Sequence, residues 1–228
     1  AGRAKIHGRS ISIWNGECAQ GDTVVSCNPN NPTGEAMTRK QILSLFEYVQ
    51  SCGAEMIVDE AFIDFCPEYS VRKDVQTGLT VVGSLTKTLC IPGVRLGYVC
   101  AAPERIAELE RRALPWAVSA LASAVAAKLP KHLEEIKEDA AKNALRREKL
   151  IAALQALGAK VMPSQANFLL ADFGCDMTEA AARLKEKHIL VRTCASFGLP
   201  PCVWRLAVKT EEENARLIAC LEEELYAR

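Results

Sequence analysis

The segment around Lys87 holds the side chains best suited to chemistry. Lys87 follows a valine-rich run, 80–83, that predicts a buried strand, and open α/β folds build their sites at the carboxyl ends of such strands. Ser84, Thr86 and Arg95 supply two hydroxyls and a guanidinium, a set that can hold one phosphate group. An amine beside a phosphate suggests a Schiff base to pyridoxal phosphate. A strand end followed by a turn with a surface lysine explains the segment equally well.

Two upstream segments favour the first interpretation. Residues 28–34, NPNNPTG, form a rigid Pro- and Gly-containing turn after the strand-like run 23–27. A second apolar run, 54–59, leads directly into Asp59. A carboxylate at that point is a helix cap, an ion-pair partner or a site residue. Against a pyridine nitrogen it would stabilise the protonated ring through opposite charge and a hydrogen bond.

In order and spacing these segments resemble the fold-type I pyridoxal-phosphate enzymes, the aspartate aminotransferase superfamily. The resemblance runs from about Thr23 to the C-terminus and comprises NPTG, the Asp of DEAF, SLTK, and Arg95 eight residues after Lys87. It implies an α/β fold: a partial large domain with a mostly parallel sheet, placed at 1–128, and a small C-terminal α+β domain, placed at 129–228. It also implies pyridoxal 5'-phosphate as cofactor and a homodimer with shared sites.

The resemblance implies a role for each site residue. Lys87 would be the Schiff-base lysine, Asp59 the partner of the pyridine nitrogen, and Asn31 a donor to the cofactor's phenolic oxygen. Phe62 stands where aminotransferases usually place a tyrosine, so Asn31 would make that contact alone; alternatively, Phe62 is a packing residue only. Contacts to the cofactor phosphate are implied for three more residues: Ser84, Arg95 and, close by, Thr86.

Within the superfamily the chain is similar to the histidinol-phosphate aminotransferases and, more closely, to the threonine-phosphate decarboxylases. The closer resemblance lies in DEAFIDF, in SLTK with IPGVRLGY, and in segments 114–122 and 189–197. It implies decarboxylation of L-threonine O-3-phosphate to aminopropanol phosphate, a step of cobalamin biosynthesis, through a Schiff base on Lys87. Amino-group transfer from histidinol phosphate to 2-oxoglutarate is the alternative. The choice depends on which bond to Cα lies perpendicular to the imine, and the sequence does not report that dihedral.

Two arginines near the C-terminus bear on the substrate. Arg192 follows the apolar run 189–191, and Arg205 lies within the strand-like run 203–208. An arginine in a strand usually faces solvent. By resemblance, Arg205 would bind the substrate α-carboxylate in a bidentate fork, and Arg192 would meet the substrate phosphate. Threonine phosphate carries both groups, whereas histidinol phosphate has no carboxylate.

Composition fits a soluble, cytoplasmic enzyme. The chain has 228 residues, 49% of them hydrophobic, which is enough for a sizeable core. Its 28 basic and 28 acidic residues give zero formal charge, so neither nucleic acid nor an anionic membrane is expected as a partner. No stretch approaches the roughly 18 apolar residues of a membrane span. The ten cysteines are interpreted as small core residues in a reducing compartment, and the three separated histidines indicate no metal site.

Hydrophobic periodicity predicts alternating strands and helices followed by a small α+β region. Strands are predicted at 23–27, 54–59, 80–83, 97–101, 160–162, 167–172, 190–194 and 204–209. Helices are predicted at 38–51, 103–112, 130–157, 178–187 and 211–226. The many charges of 130–157 predict a solvated face.

The chain departs from the family at its start. The NPTG turn comes far earlier than in family members, whose N-terminal portion carries a phosphate-holding turn and an aromatic that stacks on the pyridine ring. Gly8 and Trp14 do not match that placement, so nothing in 1–22 can be assigned to those roles. We expect weaker cofactor binding and exposed sheet edges and apolar faces. A non-catalytic fragment or interaction module is therefore the second alternative.

Overall fold

The computed structural model describes residues 3–6, 9–12 and 16–226, with side chains from residue 16 to residue 225. His7, Gly8 and Trp14 lie outside the described residues. The strands are β1 Arg3–Ile6, β2 Arg9–Ser12, β3 Thr23–Cys27, β4 Glu55–Asp59, β5 Leu79–Ser84, β6 Gly97–Cys100, β7 Lys160–Val161, β8 Phe168–Asp172, β9 Arg192–Thr193 and β10 Val203–Ala207. The helices are α1 Arg39–Ser51, α2 Leu85–Thr88, α3 Pro103–Arg112, α4 Ala120–Lys128, α5 Leu133–Ala156, α6 Thr178–Glu186 and α7 Glu211–Tyr226.

The first large sheet has the strand order β3-β4-β5-β6. β3, β4 and β5 are parallel, and β6 runs antiparallel to β5. The mostly parallel sheet expected from the sequence is therefore confirmed, with each of the four predicted strands correct to within one residue. The carboxyl ends of β4 and β5 are adjacent, which places Asp59 and Ser84 at the same edge of the sheet.

Helix α1 covers one face of this sheet. It begins after Thr38, whose hydroxyl accepts the Gln41 amide, while Gln41 Oε1 accepts the Thr38 amide. This capping box satisfies two otherwise free backbone amides. Its apolar stripe packs on alternate strand residues in a buried cluster that includes Ile42, Phe46, Val49, Val24, Met56, Val58, Leu79 and Val81. The alternation of buried and exposed residues in the strands follows from this one-sided cover.

The opposite face of the same sheet carries exposed valines. Val25 is 66% exposed, and Val82 and Val99, which pair across β5 and β6, are also exposed. Residues paired across strands share a face, so Asp59, the partner of Val82, lies on this face too. Sheets with parallel strands are normally covered on both sides. An exposed apolar face, as expected from the sequence, therefore adjoins the predicted cofactor site.

The second large sheet is antiparallel throughout, with strand order β7-β8-β10-β9. Helices α5, α6 and α7 pack on it through a buried cluster that includes Leu150, Leu154, Leu184, Leu221, Leu169 and Trp204. This is the α+β arrangement predicted for the C-terminal part. The boundary between 128 and 129 stays a prediction.

Some sequence predictions were wrong in detail. Helices α2 and α4 were not predicted, and the strand predicted at 190–194 is limited to Arg192–Thr193. The predicted helix 130–157 begins as a short 3-10 turn, and α5 proper starts at Leu133. Arg147, assigned to the solvated face of that helix, is buried. Glu148 and Lys149, which follow it, are exposed, so charge alone does not report which side of a long helix faces the core.

The cysteines follow the sequence interpretation only in part. All ten are free thiols, and Cys66 and Cys194 are buried, whereas Cys90 is exposed and is not a core residue. None of the helices in the described part of the chain is long and apolar enough to cross a lipid bilayer.

Candidate active site

Lys87 lies on a one-turn helix directly after β5, a strand that is buried on one face only and not on both as predicted. Ser84 ends β5, and the Leu85 amide donates to the Leu96 carbonyl at 3.0 Å, which ties the start of α2 to the segment before β6. Lys87 Nζ lies 3.4 Å from Thr86 Oγ1. Ser84 Oγ and Thr86 Oγ1 are 2.8 Å apart. An amine and two hydroxyls thus converge at the carboxyl end of β5, as the sequence predicted.

Asp59 occupies the carboxyl end of the neighbouring strand. Its Oδ1 accepts the Ala61 amide at 2.9 Å, and in the sheet register it pairs with Cys27 on one side and Val82 on the other. Burial, and then the negative charge of Asp59, raise the pKa of the Cys27 thiol to about 11. A protonated thiol therefore flanks the carboxylate. Cys27 was not predicted as a site residue, although it ends the strand before the NPTG turn.

Asn31 and Arg205 meet although 174 residues separate them, with Arg205 Nη1 donating to Asn31 Oδ1 at 2.6 Å. Arginine can only donate, so this bond identifies the oxygen end of the amide and leaves Asn31 Nδ2 as its donor end. Burial, and then the nearby positive charge of Arg192, lower the pKa of Arg205. The sequence predicted both residues for the site, and the structure brings them into contact.

Phe62 belongs to a small apolar cluster. It is 8% exposed and meets the ring of Phe168 edge-on, with centroids 4.9 Å apart and an interplanar angle of 82°. Its own centroid lies 6.0 Å from Lys87 Nζ. The guanidinium of Arg205 lies 4.9 Å from the Phe168 centroid. Phe62 thus packs in an apolar environment next to the lysine, and its cofactor contact stays a prediction. Phe168 was not predicted as a site residue. It lies in the apolar run 167–172, and such a run predicts a buried strand without indicating a binding site.

The remaining two arginines are more exposed. Arg192 pairs with Arg205 across β9 and β10, donates to Ser196 Oγ at 3.0 Å and lies 5.6 Å from the Phe197 centroid. Arg95 has a backbone φ of 55° and donates from Nη1 to the Pro92 carbonyl at 2.9 Å. The role of Arg95 as a ligand of the cofactor phosphate stays a prediction.

The side chains at the ends of β4 and β5 fit pyridoxal phosphate, a pyridine aldehyde that carries one phosphate group. Two adjacent hydroxyls can share a phosphate, an amine lies beside them, and a carboxylate stands on the next strand. By contrast, nothing in this set favours a metal: within the described ranges, no group of three or more His, Cys, Asp or Glu side chains could hold an ion.

Comparison with known proteins agrees with this geometry. The family model for aminotransferase class I and II matches residues 15–221. The chain therefore belongs to the aminotransferase class I and II family, within the fold-type I enzymes that its sequence resembles.

Individual relatives carry two different activities in their names. The chain is 34% identical over 209 residues to threonine-phosphate decarboxylase of Salmonella typhimurium, covering 88% of this chain and 57% of that protein. It is 33% identical over 199 residues to histidinol-phosphate aminotransferase of Symbiobacterium thermophilum, covering 86% and 55%. The crystal structure of L-threonine-O-3-phosphate decarboxylase from Porphyromonas gingivalis superposes with a TM-score of 0.82 at 28% identity, covering 90% of this chain and 65% of that one. The chain thus spans little more than half the length of these curated relatives.

Proposed function

We propose that the chain forms part of a pyridoxal-phosphate-dependent enzyme that decarboxylates L-threonine O-3-phosphate to aminopropanol phosphate, as the cobalamin pathway requires. The observation that carries the proposal is the pairing of Arg192 and Arg205 on adjacent strands, with Arg205 bonded to Asn31. Two cations on one sheet match a substrate with two anionic groups.

The cofactor-side residues have separate tasks. Lys87 provides the amine to which the cofactor attaches, and it holds or releases a proton at Nζ. Ser84 and Thr86 would hold the phosphate through their hydroxyls, and Arg95 would add a guanidinium. Asp59 stabilises the protonated pyridine nitrogen. Bound pyridoxal phosphate supplies an electron sink for the pair left by the broken Cα bond.

The substrate-side residues select and orient. Arg205 binds the α-carboxylate and Arg192 the distal phosphate. Asn31 keeps its Nδ2 donor for the cofactor's phenolic oxygen, because its Oδ1 is already held by Arg205. Phe62 would present an apolar ring beside the amine, and Phe168 packs behind it. Arg205 would orient the α-carboxylate for loss as carbon dioxide, and Lys87 Nζ would return a proton to Cα in its place.

A histidinol-phosphate-type aminotransferase is the second candidate, supported by the relative of that name at 33% identity. Such a substrate would use Arg192 for its phosphate, and the carboxylate of 2-oxoglutarate would use Arg205 in the second half-reaction. For either activity we also propose a cytoplasmic homodimer without nucleic-acid or membrane partners. The exposed valines beside Asp59 support cover by another polypeptide.

The first experiment titrates the chain with pyridoxal phosphate and follows visible absorbance. We expect a cofactor band that Lys87→Ala abolishes and that Lys73→Ala, a change at an exposed lysine, leaves unchanged. No band at saturating cofactor would instead support the non-catalytic interaction module.

The second experiment incubates the chain and cofactor with threonine phosphate and analyses products by mass spectrometry. Aminopropanol phosphate with release of carbon dioxide supports the decarboxylase. Conversion of histidinol phosphate in the presence of 2-oxoglutarate, without carbon dioxide from threonine phosphate, would overturn it in favour of the aminotransferase.

A further inference from the structure

The turn that carries Lys87 needs support from outside itself. Helix α2 has four residues, Leu85–Thr88, and within the described chain Ser84 makes no side-chain cap bond to it. A single helical turn is not stable alone, since nucleation costs more than one turn of hydrogen bonds returns. Thr88, the residue after Lys87, supplies a tertiary contact: its hydroxyl donates to Asp64 Oδ2 at 2.7 Å.

Asp64 is itself held on its other oxygen. It lies on the short 3-10 turn Ile63–Phe65 that follows β4, with its side chain 19% exposed. Arg72 Nη2 donates to Asp64 Oδ1 at 3.1 Å. The two oxygens therefore serve two different elements, and the carboxylate cannot rotate without losing one of the bonds.

Arg72 is fixed in turn by three groups. Its Nη1 donates to the Tyr98 hydroxyl at 3.1 Å and its Nε to Ser70 Oγ at 3.0 Å. Glu60 Oε2 lies 4.0 Å from the same Nε. Because Tyr98 is on β6 and Glu60 directly follows β4, Arg72 connects the Asp64 carboxylate to the sheet itself.

We propose that Asp64 is a positioning residue for Lys87, acting through Thr88; this inference rests on the proposed function of Lys87. Successive residues of a helix project about 100° apart, so anchoring the Thr88 hydroxyl sets the rotation of the turn and hence the direction of Lys87 Nζ. The segment that holds Asp64 also holds Phe62, whose ring centroid lies 6.0 Å from Nζ. The segment 62–64 therefore bonds to Thr88 through Asp64 and places the ring of Phe62 near Lys87, the residue before it.

The first test uses the cofactor-free chain and hydrogen exchange read by mass spectrometry. Thr88→Val keeps the side-chain shape and removes the hydroxyl, and Thr88→Ser keeps the hydroxyl. We expect exchange in peptides covering 84–91 to be about tenfold faster in Thr88→Val, as loss of one bond to a charged acceptor implies, and parent-like in Thr88→Ser. Peptides from β8 and β10 serve as internal references and should not change. Parent-like exchange in Thr88→Val overturns the inference, whether or not the chain binds cofactor. Thr88→Ala repeats the test should the valine variant not fold.

The second test measures cofactor binding at Lys87. With pyridoxal phosphate, we expect Thr88→Val to raise the cofactor concentration at half-saturation about tenfold and to shift the pH midpoint of the absorbance band, and Thr88→Ser to restore both. Faster exchange with an unchanged half-saturation and midpoint would show that the network stabilises α2 without positioning Lys87, and would overturn the inference. If the parent chain shows no absorbance band, the proposed function is contradicted. The exchange experiment still tests whether the bond between Thr88 and Asp64 holds α2 in place.

Discussion

Arg205 Nη1 donates a 2.6 Å hydrogen bond to Asn31 Oδ1, joining strand β10 to the turn before α1. The two residues come from opposite ends of the chain, and each was assigned to a different molecule: Asn31 to the cofactor and Arg205 to the substrate. The bond therefore ties the orientation of the cofactor-side amide to the position of the substrate-side guanidinium. A change at either residue should affect the other's ligand.

Arg205→Ala should weaken carboxylate binding by roughly 1.5–3 kcal/mol, the value of a charge-assisted hydrogen bond. The measurement is a titration of the cofactor-loaded chain with ligand pairs that differ only in the α-carboxylate. Loss of affinity confined to the carboxylate-bearing member is the expected result.

Arg192→Ala is the matched control for that experiment. It should weaken threonine phosphate relative to threonine and leave the carboxylate preference in place. Equal losses for phosphorylated and unphosphorylated ligands would contradict the assignment of Arg192 to the phosphate.

Gly83→Ala should destabilise the fold, because a Cβ at residue 83 would lie 2.1 Å from Cζ of Tyr98. Overpacking of this kind costs about 1–3 kcal/mol. The Tyr98 ring would have to move, and its hydroxyl would leave Arg72. Urea unfolding provides the free-energy difference. Gly93→Ala is the control, since an added Cβ there meets nothing within 4 Å in the described chain; equal destabilisation by the two changes would argue against the close approach of Tyr98.

Arg147→Lys should also lower the free energy of unfolding. The guanidinium is buried and donates from Nη1 to the Ala166 carbonyl at 3.2 Å and from Nη2 to Gln165 Oε1 at 3.3 Å, and burial lowers its pKa. A lysine amine cannot reach both acceptors in the same planar fork, so we expect a loss of about 1–3 kcal/mol. Lys142→Ala on the exposed side of α5 should stay within about 0.5 kcal/mol. A result in the same range for Arg147→Lys would show that the fork adds no stability.

Glu60 should make stability depend on pH. It is buried, and burial raises the pKa of its carboxyl, although bonds from Ser70 and Val71 and the charge of Arg72 oppose this and Asp64 adds to it. The pKa of Glu60 in the folded chain lies above its value in the unfolded chain. The protonated carboxyl therefore contributes its full stability below the unfolded pKa, and this stability is lost as pH rises through the folded pKa. We therefore expect the stability of Glu60→Gln relative to the parent to improve as pH rises above about 4.3.

Thermal unfolding of the parent and of Glu60→Gln over that pH range measures this difference. The exposed Glu68→Gln is the control for removal of a carboxyl. A difference between parent and Glu60→Gln that moves the other way, in favour of the parent as pH rises, would contradict the raised pKa.

The local pattern of apolar residues predicted many of the strands and helices. The strand 23–27 and the helices 103–112 and 211–226 agree with the structure residue for residue, because a period of two or of 3.6 in apolar residues directly reports which side of an element is buried. Helix α4 escaped prediction. Its sequence, ALASAVAAK, has apolar residues on all sides, so periodicity carried no signal, although alanine favours helix strongly.

The sequence by itself determined the family, the ends of β4 and β5 to within one residue, and the identity of the groups placed there: Asp59, Ser84 and Lys87 lie at the ends of runs whose apolar character is a local property. Only the tertiary structure decided the partners. The bonds of Arg205 to Asn31, of Asp64 to Thr88 and of Arg147 to the Ala166 carbonyl join segments 19 to 174 residues apart. A hydrogen bond depends on a few tenths of an ångström between such segments, and that distance is set by how whole sheets and helices pack.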